Sequence, residues 1–147
     1  MLALLISLLL FVVPLDEKHQ ETSFTSLEDL IHESQQRQLK PAILFTGSDW
    51  CKPCIRLEKE VLGRQDFKDI TEHDILLYRA DFPYHAKNRL PKETEAFNRL
   101  IADLYNIDGI FPLLVVLDND QQVISRIGYT PSKGPAHFIN ILKSEVQ

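Results

Sequence analysis

Apolar and polar positions change their spacing from block to block along this chain, and each spacing predicts an element. The first block, residues 2–13, runs twelve positions without a charge or any helical spacing of polar residues, and the first charged side chain is Asp16. Its length fits the apolar part of a secretory signal and is short of the roughly 20 residues needed to cross a bilayer. Residues 1–20 are therefore expected to be a signal peptide or, uncleaved, an N-terminal membrane tether. No Lys or Arg precedes the run and no small-x-small cleavage site follows it, so both readings stay open here.

Beyond Pro14 helix and strand signals alternate. Thr25-Ser26-Leu27-Glu28 has the spacing of a capping box and predicts an amphipathic helix to about Gln38. Pro41-Ala42-Ile43-Leu44-Phe45, closed by Gly47, predicts a buried strand. Ile55, Leu57, Val61 and Leu62 predict a helix packed on a sheet, and Phe67 and Ile70 mark a second helical piece. A strand at 75–82 leads into a polar, basic loop at 84–90, with Pro91 at a predicted first helical position. Phe97, Leu100, Ile101, Leu104 and Tyr105 fall at i, i+3, i+4, i+7 and i+8 and predict a core-facing stripe. Residues 113–117 and 123–127 flank Asp118-Asn119-Asp120-Gln121 as a hairpin. A closing helix at 136–146 turns Phe138, Ile141 and Leu142 inward. This order predicts an α/β fold with helices on both faces of a mostly parallel sheet carrying an antiparallel edge pair.

Composition narrows the picture. At 147 residues, 44% of them apolar, the chain can bury one substantial core, so one domain is expected at 21–147. A formal charge of -5 with no basic stripe argues against nucleic acid and against an anionic membrane surface as partners. The only cysteines are Cys51 and Cys54. A bridge between them closes so short a loop that it stabilises the fold little, which favours chemistry over structure as their role.

The chemistry is concentrated in Trp50-Cys51-Lys52-Pro53-Cys54, between a predicted strand and a predicted helix. Thiol-disulfide exchange needs an accessible, partly ionised thiolate and a second thiol close enough to resolve the mixed disulfide. A Cys-x-x-Cys pair opening a helix supplies both. Unpaired backbone N–H groups favour negative charge on the first sulfur, and the second lies one turn in; Lys52 adds a nearby cation. A zinc site would need two of His19, His32, His73, His85 and His137, none of which has the paired spacing of structural zinc sites. Two cysteines buried in a core remain the plain alternative.

Trp-Cys-x-Pro-Cys at a strand-to-helix junction, with Ile110-Phe111-Pro112 before a later strand, resembles the thioredoxin superfamily over about residues 27–142. The stretches ADFP (80–83), FPLLVVLDNDQ and GYTP resemble an exported bacterial branch of it, the DsbH-type periplasmic oxidoreductases. The resemblance implies a thioredoxin fold, a central mixed β-sheet flanked by helices, with a lengthened segment before the cis-proline loop. It implies Cys51 as attacking nucleophile and Cys54 as resolving thiol, with Pro53 shaping the helix start. Pro112 would be the cis proline facing the dithiol. The backbone of Phe111 would pair with an extended substrate, Trp50 would shield the edge, and Gly128 and Tyr129 would border the groove. It further implies a redox-active Cys51–Cys54 disulfide with no other cofactor and no metal. Expected partners are protein substrates with disulfides or thiols and an upstream thiol electron donor in the membrane, for a monomer in the periplasm.

Two departures from that family stand out. Its buried acid, which takes the proton of the resolving thiol, is replaced here by Phe45, so another group, Asp49, Glu58 or water, takes that proton or the second step is slower. The segment between Asp81 and Pro112 is also longer than in a minimal thioredoxin. Lys-Pro between the cysteines resembles the dipeptides of reducing members, so a protein-disulfide reductase is expected, with an oxidase or isomerase as the alternative. A metal-binding or copper-delivery protein of the same fold is the alternative from another class.

Overall fold

The computed structural model describes residues 24–147; the expected signal or tether at residues 1–20 lies outside the described residues. The sheet is built on β1 (Lys40–Thr46), buried at every position after Lys40. A strand apolar on both faces needs a layer on each side. Its neighbours are β2 (Ile75–Asp81) and β3 (Leu113–Leu117), with β4 (Val123–Gly128) outside β3, in the order β2-β1-β3-β4.

β1 and β2 are parallel, while β1–β3 and β3–β4 are antiparallel. The sheet is thus mixed, with one parallel pair, and the expectation of a mostly parallel sheet is corrected. The cause is the return path. Phe45, near the end of β1, pairs with Leu113, the first residue of β3, so the chain re-enters the sheet from the end at which β1 leaves it.

Side-chain alternation along β1 divides the core into two. Ile43 and Phe45 face α1 (Leu27–Arg37) and α4 (Lys92–Tyr105), through Leu30, Phe97, Ile101 and Tyr105. Ala42 and Leu44 face α2 (Lys52–Leu57), α3 (Gln65–His73) and α5 (Gly134–Val146), through Leu57, Phe67, Ile70, Phe138 and Leu142. Between α2 and α3 one π-helical turn, Glu58–Leu62, buries Val61.

Several sequence expectations shift by a residue or a face. The cap of α1 is Ser26, whose hydroxyl accepts the Asp29 N–H at 3.1 Å, one residue later than Thr25. Pro91 precedes the first helical residue of α4 rather than occupying it. Leu100 and Leu104 are more than half exposed, at 54% and 55%. The inward face of α4 is centred instead on Phe97, Asn98, Ile101 and Tyr105, and among the described residues no helix covers its outer side. Ile55 is likewise exposed, because the inward row of α2 and the π turn is Cys54, Leu57 and Val61. In α5 Ile139 is buried and Ile141 only partly.

Candidate active site at the end of β1

β1 delivers the chain into a short loop, residues 47–50, and Cys51 then caps α2. Its Sγ accepts the Cys54 N–H at 3.3 Å, and Lys52 and Pro53 are the first two helical residues. Proline is tolerated there because that position has no intrahelical partner for an N–H. Cys51 and Cys54 are bonded to each other, with Cα atoms 5.2 Å apart. Both are buried, at 4% and 3% exposure, whereas an exposed first sulfur was expected. In this oxidised state the bond ties Cys51 to the inward row of α2.

The Phe111–Pro112 peptide is cis. Since Leu113 pairs with Phe45 on one side and Gly128 on the other, Pro112 and Gly128 lie at the dithiol end of the sheet. Trp50 is half exposed. Its ring meets the Phe111 ring edge-on at 5.5 Å, and Phe111 meets Phe82 at the same distance. Such pairs contribute about 0.5–1.5 kcal/mol beyond their burial. The Tyr129 side chain turns into the core rather than outward. It is buried, edge-on to Phe138, and its hydroxyl donates to Glu60 Oε2 at 2.6 Å. That carboxylate also accepts from Arg56.

The loop before Cys51 is fixed by contacts that sequence reasoning did not supply. A Cβ on Gly47 would fall 2.4 Å from the Trp50 ring, so glycine is needed for the indole to lie against the loop. The indole Nε1 donates to the Phe82 carbonyl at 2.7 Å. The Ser48 N–H and hydroxyl donate to the Asp81 carboxylate at 2.8 and 2.6 Å. Behind Asp81, the buried Tyr78 hydroxyl donates to Asn98 Oδ1 at 2.6 Å and the Asn98 amide donates to the Asp81 carbonyl at 2.8 Å. Burial pushes the Tyr78 hydroxyl up to about 12, which keeps it a donor. The brace joins residues 47–50 to ADFP (80–83), a stretch the sequence marked only through its resemblance to the family.

The replacement of the family's acid is borne by the core: Phe45 is fully buried between β1 and the α1/α4 layer. Asp49 is a poor substitute proton acceptor. Desolvation raises its carboxyl, but hydrogen bonds from the Tyr84 N–H, the Asn88 amide and the His85 N–H outweigh this and bring it down to about 2. Glu58 faces Arg79 in an ion pair. Among the described residues no group of three or more His, Cys, Asp or Glu side chains is placed to hold a metal ion.

Comparison with known proteins follows the same lines. A family model described as a thioredoxin-like domain matches residues 27–143. The disulfide bond reductase DsbH of Chlamydia pneumoniae is 30% identical over 122 residues, covering 83% of this chain and 71% of that protein. A solved structure of a DsbH oxidoreductase superposes with a TM-score of 0.72 at 28% identity, over 86% of this chain and 85% of the other. A disulphide isomerase from Xylella fastidiosa Temecula1 shares the fold, with a TM-score of 0.56 at 16% identity over 90% and 98%.

Proposed function

The chain belongs to the thioredoxin-like domain family and is a thiol-disulfide oxidoreductase; from that premise we propose that it is a periplasmic dithiol reductase of protein disulfides. The observation that carries the proposal is the placement of Cys51 at the start of α2. There its sulfur accepts the Cys54 N–H, with Cys54 in bonding distance. The similarity to a disulfide bond reductase supports the direction.

In the reduced protein the Cys51 thiolate attacks one sulfur of a substrate disulfide. A mixed disulfide forms and the first substrate sulfur leaves as a thiolate, which takes a proton. Cys54 then loses its proton and attacks the Cys51 sulfur, closing the Cys51–Cys54 bond and releasing the second substrate thiol. Two electrons and two protons pass to the substrate, and a thiol donor, by this reading a membrane protein, restores the dithiol.

The direction follows from magnitude. In a two-electron couple about 30 mV corresponds to about 1.4 kcal/mol, so superfamily members near about -270 mV and near about -120 mV differ by roughly 7 kcal/mol. The visible stabilisers of a thiolate here are one helix end and the exposed Lys52. A helix end supplies about 0.3–2 kcal/mol, too little for a strong oxidant. A potential between about -230 and -280 mV is expected in redox titration against glutathione or a thioredoxin standard. A value above about -180 mV would replace the reductase by an oxidase or isomerase.

The compartment rests on the apolar run at residues 2–13. A fusion of residues 1–30 to a reporter active only outside the cytoplasm should be active; a well-expressed but silent fusion rejects export.

A further inference from the structure

Residues 84–92 read Tyr-His-Ala-Lys-Asn-Arg-Leu-Pro-Lys, three cations and no acid, in a chain of formal charge -5. A run of this kind is ordinarily a solvated face. Two observations set it apart. The first is that it is strapped to the loop presenting the dithiol. The Asp49 carboxylate, two residues before Cys51, accepts the Tyr84 N–H at 2.8 Å, the His85 N–H at 3.0 Å and the Asn88 amide at 2.8 Å. The neighbouring Trp50 indole holds Phe82 at the head of the same segment. Lys87 therefore sits between two residues bound to Asp49, and Arg89 follows directly.

The second observation is that these cations have no acid of their own. Lys87 and Arg89 are exposed, as is Lys52 beside Cys51, and among the described residues none of the three is in an ion pair. The carboxylates of the two braced segments, Asp49 and Asp81, keep their charge but are bound to backbone N–H groups and to Asn88 and Ser48, not to these cations. The next acid along the chain, Glu93, belongs to the first turn of α4. The fold thus holds exposed cations, unpaired among the described residues, on a segment braced to the dithiol loop of an otherwise acidic protein. Surfaces of this kind raise encounter rates with partners of opposite charge and slow those of like charge.

We propose that the strap at residues 84–89 is a docking surface for an acidic polypeptide segment flanking the disulfide that Cys51 attacks, with Asp49 as the residue that positions it. The proposal rests on the exchange chemistry and reductase direction given above and names the class of substrate that chemistry would favour.

The test uses the reduced protein and two peptides, each with one internal disulfide, identical except for a glutamate-rich or a lysine-rich flank. Bis(2-hydroxyethyl) disulfide, which carries no charge, serves as the reference. At about 0.01 M salt, where screening extends to about 30 Å, the acidic peptide should be reduced about 10-fold faster than the basic one. The gap should close near 1 M salt, where screening extends to about 3 Å. Lys87→Glu/Arg89→Glu should erase or reverse the preference. Equal rates for the two peptides at low salt in the natural protein overturn the proposal whether or not that variant folds. Failure to reduce even the uncharged disulfide is a different result: it removes the reductase reading and the docking surface with it.

Discussion

The two stretches that meet at Cys51 are held in opposite ways. Upstream, Ser48, Asp49 and Trp50 are tied by hydrogen bonds to Asp81, Phe82, Tyr84, His85 and Asn88, all more than thirty positions away in sequence. Downstream, α2 is held by local backbone bonds, the i,i+4 pair Arg56–Glu60 and the burial of Cys54, Leu57 and Val61, and distant polar contacts, from Tyr129 to Glu60 and Arg79 to Glu58, reach only the π turn beyond it. The loop just before Cys51 is set by polar contacts between distant segments, the helical turn just after it by helix formation and packing. The difference teaches where each side is vulnerable. Upstream order should respond to pH and to loss of single polar groups, and downstream order to cavities.

The largest effect should come at the junction itself. Cys51→Ser should abolish disulfide reduction, and Cys54→Ser should leave Cys51 able to attack and stall as a mixed disulfide, read by mass spectrometry of adducts. Adducts on Cys51→Ser instead of Cys54→Ser would show that the two roles are exchanged.

Next come single changes on either side. Leu57 is buried at 1% exposure, and Leu57→Ala should cost about 2–5 kcal/mol in urea denaturation through the lost apolar contact and the cavity left behind. Gly47→Ala should cost less, about 1 kcal/mol, the scale of the single hydrogen bond between the Trp50 indole and Phe82. It should also change the fluorescence of Trp50, the only tryptophan. If Gly47→Ala proves the more costly of the two, the loop upstream is a larger part of the fold than its exposure suggests.

The smallest expected effect is a pH dependence confined to the upstream side. Desolvation works against it, but the bonds from the Tyr84 N–H, the Asn88 amide and the His85 N–H lower the Asp49 carboxyl from 3.8 to about 2. A depressed folded-state value contributes stability that is present above the unfolded value and disappears as pH falls through the folded one. The stability difference between the natural protein and Asp49→Asn should therefore be full above about pH 5 and shrink toward pH 2. Glu60 and Asp66 are also lowered, chiefly by Arg56 and Arg64, but they are common to both proteins and cancel in the difference. A difference that stays flat with pH would mean that Asp49 does not hold the strap through its charge.

What the sequence determined by itself was the local chemistry. Trp50-Cys51-Lys52-Pro53-Cys54 needs only the end of a strand and the start of a helix, and both have periods short enough to read in a window. The positions of the four described strands and the apolar row of α3 were legible for the same reason. What only the tertiary structure decided was direction and partnership. The antiparallel entry of β3 depends on where the chain returns to the sheet, and no local period encodes that. Leu100 and Leu104 carry a helical spacing, yet among the described residues no layer packs outside α4 and both are exposed. Asp49 and Asp81 look alike in sequence. Their separate partners, one on the strap and one on the dithiol loop, are set by two segments brought within 3 Å. A hydrogen bond needs that distance and a direction as well, and a one-dimensional pattern specifies neither.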